Sequence, residues 1–314
     1  MLLTVTSNPT IDRTLYVSHL TLGAVHRTTG VHLAAGGKGL NVTRAARSLG
    51  CEVLATGPLA GRAGQIVADL ALAEGLRADW AWLSTGETRT CSLINHDAGD
   101  TTVINEQGPA VAAEDWAAFA AHVSQLARQV KAVAFSGSLP LGVKPTALAE
   151  LAGGLAAAGQ TVYVDTSGPA LAAVLAQPQG VSIKVNQWEL AAELDLDIKD
   201  GAIERLIEAG RQLLRRGAAL VVVTLGSQGA LAVTAEQAWH ASIPPIQTVS
   251  TVGSGDSFLA GLAVAQLKGE KLQAALAFGV ACGSANAMSS LPARFELKQV
   301  ESLLQQVELA KLSY

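Results

Sequence analysis

The sequence is sparing with charge, aromatic rings and cysteine. Charged residues make up 15% of its 314 positions and aromatic residues 4%, and 22 Lys plus Arg against 26 Asp plus Glu leave a net charge of −4 with no basic run. Lacking a positive stripe to displace counterions from phosphodiesters, the chain is not expected to bind nucleic acid. Its three cysteines, Cys51, Cys91 and Cys282, are odd in number, far apart and set among small or apolar neighbours. That pattern suits free thiols in a reducing compartment, so a cytoplasmic location is expected and a disulfide framework or metal cluster is not. No apolar run approaches the ~18 residues of a membrane span, and MLLTVTSNPT reads as a buried strand rather than an export signal, so no membrane partner is expected.

What the sequence has in quantity is small and aliphatic residues, with 49% hydrophobic in all. A parallel sheet covered on both faces would absorb that excess. Strand-like runs at Leu2–Thr6, Lys131–Phe135, Thr161–Val164, Val181–Val185 and Leu220–Thr224 alternate with Ala-rich helical stretches, and a Gly-rich turn at Gly36, Gly37 and Gly39 opens a helix ending at Leu49 and Gly50. Arg13–Val17, Trp80–Leu83, Thr90–Asn95 and Thr101–Asn105 break the rhythm and predict a small separate sheet, drawn from segments near 13–34 and 78–106, that covers a cleft as a lid. Trp80 and Trp82 would share one face of it or pack on the main core.

The stretch STVGSGDSFLAG at 250–261 runs a Gly-Ser-Gly turn directly into an apolar helix. The free backbone N–H groups of Gly253, Ser254, Gly255 and Asp256, with the positive end of the helix dipole, make a place for developing phosphate charge. A carboxylate at Asp256 would be favoured in its ionised form there, ready to take a proton from an attacking hydroxyl; the ordinary competing use of such an Asp is a helix cap. Anion hole, base and Mg²⁺ together make nearly a full phosphoryl-transfer apparatus. Other phosphate templates fail: Gly39 stands where a P-loop needs its hydroxyl residue, and Phe258 occupies the last position of a GxGxxG.

NPTID at 8–12, AGGKGLNVTRAARSLG at 35–50, TRT at 88–90, SGSLPLGV at 136–143, DTSG at 165–168, KVNQWEL at 184–190, TLGSQGAL at 224–231 and the GSGDS turn follow one another along nearly the whole chain. In that order they resemble the ribokinase-like, PfkB-type carbohydrate kinases, and within them the branch of 1-phosphofructokinases and tagatose-6-phosphate kinases. The resemblance implies a single domain over 1–314 with a three-layer α/β/α fold, a mostly parallel central sheet and a β lid. It implies Asp256 as catalytic base, with Gly253, Ser254 and Gly255 as the anion hole. It puts Asp12, Gly36, Gly37, Asn41 and Ser136 at the sugar, where a carboxylate can accept two hydroxyl donors; a turn-forming role for Asp12 is the alternative.

Lys38, inside the Gly-rich turn, resembles the lysine of the sugar-phosphate branch that meets the substrate phosphate, and Arg89 offers a guanidinium fork for the same group. Arg27 is a third candidate, and solvated surface charge is the competing reading of all three. Asn186 and Glu189, three apart at a helix start, can hold a hydrated Mg²⁺, although a first-turn Glu also serves the dipole alone. The family usually has Pro at Val185. By resemblance, Lys184, Asn186, Thr224, Gly226, Ser227, Gly229, Ser284 and Asn286 serve ATP, and Ser250 and Val252 match positions that bind a monovalent cation in some members. The expected reaction is ATP-dependent phosphorylation of fructose 1-phosphate. The alternatives are a tagatose-6-phosphate or 6-phosphofructokinase, a kinase of neutral sugars or nucleosides, and a sugar-phosphate-binding regulator without catalysis. An apolar outer lid face would need cover, which predicts a homodimer through the lid.

Overall fold

The computed structural model describes residues 1–96, 101–198 and 202–312. The chain begins with β1 (Leu2–Val5), extends β2 (Thr10–Val17) and β3 (Gly30–Gly36) as a hairpin, and returns through α1 (Lys38–Ser48). β4 (Val53–Thr56), β5 (Pro58–Leu59), α2 (Gly61–Ala73), β6 (Ala81–Trp82), β7 (Arg89–His96) and β8 (Thr101–Asn105) follow. Alternation then sets in with α3 (Ala113–Ala127), β9 (Ala132–Ser136), α4 (Thr146–Ala157), β10 (Thr161–Asp165), α5 (Gly168–Ala176) and β11 (Ser182–Asn186). It continues with α6 (Gln187–Leu194), α7 (Ala202–Arg215), β12 (Leu220–Thr224), β13 (Ala230–Val233) and β14 (Ala238–Ser242). The last elements are α8 (Ser254–Leu267), α9 (Leu272–Ala287), α10 (Leu297–Leu304) and β15 (Glu308–Leu312).

One nine-stranded sheet, ordered β15-β14-β13-β12-β11-β10-β9-β1-β4, forms the middle layer. It is parallel from β4 to β12 and antiparallel beyond. Alternate residues of the parallel strands bury on opposite faces, as the two-residue period requires. Val133, Phe135, Val162, Val164, Ile183 and Val221 pack against α3 to α7 through Phe119, Leu148, Leu171, Leu190 and Leu206. Ala132, Ala134, Tyr163 and Val222 pack against α1, α8, α9 and α10 through Val42, Phe258, Leu276 and Val300. Leaving β1, the chain moves to β4 on one side and later to β9 on the other. This reversal opens a crevice at the carboxyl ends of the strands, where ligands of open α/β sheets bind. Ser136, Asp165, Asn186 and Thr224 are the last residues of β9, β10, β11 and β12, and Asp12 lies near the start of β2, where the chain has left β1.

The expected lid is a four-stranded sheet, β3-β2-β7-β8. Its register groups Asp12, Ala34, Cys91 and Asn105 on one face and Arg13, Leu33, Ser92 and Ile104 on the other. Trp80–Leu83 does not join it: only Ala81–Trp82 is strand, and it pairs with Pro58–Leu59 in a separate two-stranded sheet. Trp80 packs with Ile11, Leu59 and Val67 under α2, whereas Trp82, in the two-stranded sheet, stays 51% exposed. The exposed apolar side chains of the lid include Val31, Leu33 and Ile104 on the face of Arg13, and Tyr16 and Val103 on the face of Asp12. Arg27 lies exposed in the β2–β3 connection.

Candidate active site

Helix α8 begins at a turn whose N-cap, Gly253, has φ 82, a left-handed backbone that a side chain would strain. The turn is braced from behind. Asn286 is wholly buried; its Nδ2 donates to the Val252 carbonyl (2.8 Å) and to Ser254 Oγ (2.9 Å), and its Oδ1 accepts from Ala293 N–H (2.6 Å). Its amide is thus committed to holding the turn behind the adjacent cavity, whose lining includes Ser284 but not Asn286.

Asp256, in the first turn of α8, is 5% exposed, and its Oδ2 accepts from Asn41 Nδ2 at 2.8 Å. Burial, reinforced by the neighbouring Asp165 carboxylate, pushes its pKa up to about 6 against the opposing pull of Lys38, Asn41 and Lys184. The helix start does not hold the pKa low, because loss of water outweighs it, yet a carboxyl near 6 is still mostly ionised at neutral pH. Asp12 behaves alike, burial lifting it to about 6 against Arg44 and Arg89. Its carboxylate lies over Gly36, where a Cβ would come within 2.1 Å of Oδ1, so the missing side chain is what admits the acid.

Asp165, at the end of β10, received no role from its sequence, yet it ties the site together. Burial alone would raise its pKa, but Lys184 and Lys38 outweigh that and hold it low. Lys184 Nζ donates to Asp165 Oδ2 at 2.7 Å, and Lys38 Nζ stands 3.7 Å from Oδ1. Lys184 is buried, whereas the Lys38 side chain keeps 43% of its surface open, so its charge remains available to a ligand. Asp165 raises the pKa of Lys38, which also feels Asp256 and Glu189. A Cβ on Gly255 would sit 2.8 Å from Lys184 Nζ, which places that ammonium against the anion-binding turn. Ser136 Oγ is buried at the end of β9 with no hydrogen-bond partner among the described residues. Arg89 donates to the Asn8 carbonyl (3.2 Å) and to Asn105 Oδ1 (3.1 Å) at the lid's root.

On the other side of the turn is a cavity of about 490 Å³ lined by Asn186, Thr224, Gly226, Ser227, Gly229, Ser254, Gly255 and Ser284, together with Trp188, Pro244, Pro245 and Ile246. A lining that combines hydroxyl and amide groups with apolar side chains suits a nucleoside triphosphate. Gly255 belongs to both regions, so the α8 turn is the wall between cavity and carboxylates. Trp188, though inside KVNQWEL, and the Ile243–Pro–Pro–Ile246 wall received no role from the sequence, because apolar contact leaves no chemical signature to read.

The residues offered for a divalent ion fit in part. Asn186 Oδ1 accepts from the N–H groups of Trp188 (3.0 Å) and Glu189 (2.9 Å), and Glu189 Oε2 accepts from Asn186 N–H (3.2 Å), closing a capping box on α6. The Asn186 oxygen is thus committed to the helix, while Glu189 Oε1 takes no part in the cap. Among the described residues no three His, Cys, Asp or Glu side chains cluster as a metal site. One acidic oxygen suits Mg²⁺ held mainly by water and phosphate oxygens.

Comparison with known proteins agrees with this geometry. Phosphofructokinase-2 from Escherichia coli in complex with potassium is 27% identical, covers 97% of this chain and 98% of its own, and superposes with a TM-score of 0.88. A Thermotoga maritima protein described as a possible 1-phosphofructokinase is 25% identical over the full length of both chains, again with a TM-score of 0.88. An Arabidopsis thaliana ribokinase complexed with ribose and ATP, 22% identical over 97% and 98% of the chains with a TM-score of 0.76, shares the fold. Residues 5–296 match the pfkB family carbohydrate kinase description, and the chain belongs to that family of ribokinase-like sugar kinases.

Proposed function

We propose that the chain transfers the γ-phosphoryl group of ATP to a hydroxyl of a ketose phosphate, fructose 1-phosphate first among the candidates, with Asp256 as general base. The observation that carries this reading is the shared wall: a buried carboxylate with a pKa near 6 sits one residue from a glycine that also lines a nucleotide-sized cavity. ATP would lie in the cavity with its terminal phosphate at the α8 turn, and the sugar would lie between Asp12 and Asp256. Asp256 accepts the hydroxyl proton as the oxygen attacks phosphorus and the bond to the β-phosphate oxygen breaks. The backbone N–H groups of the turn, with Lys184 and Lys38, offset charge on the equatorial oxygens. Bound Mg²⁺, anchored through water on Glu189, would supply further charge neutralisation.

The ion pair of Lys38 with Asp165 and its field on Asp256 and Glu189 support a role at the transferring phosphoryl group rather than at the substrate's own phosphate. Arg89, beside Asp12, is the better-supported partner for that second phosphate. A monovalent cation near Ser250 and Val252 is part of the proposal, since the E. coli relative was solved with potassium; the Val252 carbonyl accepts one hydrogen bond, from Asn286, and retains a lone pair. Fructose 6-phosphate is the second reading, supported by the equal structural likeness to phosphofructokinase-2. Coupled ADP release with Mg-ATP against fructose 1-phosphate, fructose 6-phosphate, tagatose 6-phosphate and free fructose tests both. Turnover of a phosphorylated ketose that disappears in Asp256→Asn is expected; turnover of free fructose alone would refute the substrate class.

A further inference from the structure

Arg44, three residues after Asn41 on α1, is 7% exposed, and its guanidinium is divided among three tasks. Nε and Nη2 form a fork on Glu74 at 2.7 and 2.9 Å, Nη2 also donates to the Ala35 carbonyl at the root of β3, and Nη1 donates to Asn41 Oδ1 at 3.2 Å. Asn41 has one oxygen and one NH₂ to deploy. With its oxygen taken by Arg44, its NH₂ is the end turned to Asp256. Glu74, the C-cap of α2, also receives Arg294 at 3.1 Å. Arg294 follows Ala293, whose N–H feeds the Asn286 amide that braces the α8 turn. Two chains of contacts from one carboxylate thus reach the base and the turn that carries it.

We propose that Glu74 is a positioning residue for phosphoryl transfer: by holding the Arg44 fork it orients the Asn41 amide toward Asp256, and through Arg294 it ties that point to the loop bracing the anion-binding turn. The inference rests on the reading of Asp256 as base. It deepens that reading, because a flipped Asn41 would present its oxygen to the carboxylate and oppose ionisation of the base.

The groups facing these carboxyls are known from every side. Asn41 and Lys38 of α1, Asp165 of β10 and Lys184 of β11 face Asp256, and Asp12 of β2 feels its field. Arg44, Arg294 and His32 of β3 face Glu74, whose pKa is held low by the guanidinium partners despite its burial. Replacing Glu74 by Gln leaves Arg44 uncompensated, and that charge alone would pull the active-site carboxyls down. An upward move of the acid limb therefore reports lost orientation rather than changed charge.

The test is a double-mutant cycle in the full-length enzyme with Glu74→Gln, Asn41→Ala and the double variant. kcat, both KM values and the pH profile are measured on whichever ketose phosphate the coupled assay identifies, and urea unfolding is followed in parallel. Glu74→Gln should lower kcat about tenfold, the factor expected for one charge-assisted hydrogen bond lost from the reacting state, leave the KM for ATP unchanged and raise the acid limb. In the Asn41→Ala background the kcat effect should vanish while the stability loss persists. Arg44→Lys, which keeps the charge without the fork, should also raise the acid limb and supplies a second variant if Glu74→Gln folds poorly. Equal kcat losses in both backgrounds, or an unmoved acid limb, would overturn the inference while leaving the base reading intact. Retained turnover in Asp256→Asn would sink both.

Discussion

Replacing the proposed base should make the protein inactive and, above neutral pH, more stable. An Asp whose pKa is 3.8 in the unfolded chain and about 6 in the folded one binds its proton more tightly when folded. Its contribution to folding is then fully present below pH 3.8, declines as pH rises, and is gone above pH 6. The whole span amounts to about 3 kcal/mol at 1.36 kcal/mol per unit, and about half of it is lost between pH 5 and pH 8. The amide introduced by Asp256→Asn keeps the shape and the contact with Asn41 but never ionises. The stability of Asp256→Asn relative to the unmodified protein should therefore rise by about 1 kcal/mol from pH 5 to pH 8, about 2 °C in Tm for a chain of this length. Urea titrations at the two pH values measure it, and the coupled assay should show kcat reduced about 10²- to 10⁴-fold. A stability difference that does not grow with pH would refute the claim that Asp256 is buried at the expense of its own ionisation. Growth of the difference with unimpaired catalysis would refute only its role as base.

The activity of the unmodified enzyme should rise with pH along an acid limb near 6 that belongs jointly to Asp12 and Asp256, and a limb near 4 would contradict the burial of both. Lys38→Ala should lower kcat by about an order of magnitude or more with a smaller effect on the KM for the sugar phosphate; a pure KM effect would return Lys38 to the substrate's own phosphate. Gly36→Ala must displace the Asp12 carboxylate and should raise the sugar KM at least about tenfold while leaving ATP binding, read by calorimetry, unaltered. A homodimer covering Leu33 and Ile104 of the lid should appear by light scattering at micromolar concentration and dissociate in Leu33→Glu/Ile104→Glu; a monomeric unmodified protein would exclude it.

The central strands are legible because each carries its apolar run within five residues: Leu220–Thr224 coincides with β12, and the other runs match their strands to within a residue at either end. The lid is legible only in outline. Gly30–Gly36 pairs with Thr10–Val17 across a long loop, and a strand made by a distant partner has a weak local pattern. Trp80 and Trp82 mislead because alternation indicates a strand without saying which sheet receives it. Within the site, Asp256, Asn41 and the Gly-Ser-Gly turn are visible as motifs. Asp165 and Arg44 lie inside quoted motifs and Glu74 in none, but in all three cases the partner is hidden, because a buried ion pair across 30 residues leaves no spacing to read.

Reaction class and the candidate for the base follow from the sequence alone, since a Gly-Ser-Gly turn opening a helix creates its anion hole with its own backbone. Tertiary structure decided how those groups are charged. Asp256 is lifted by burial and by Asp165, Lys38 is pointed by an ion pair, and the Asn286 amide is committed to bracing the turn. Desolvation and Coulomb energy are sums over neighbours that the fold assembles from distant parts of the chain, and no local pattern contains them.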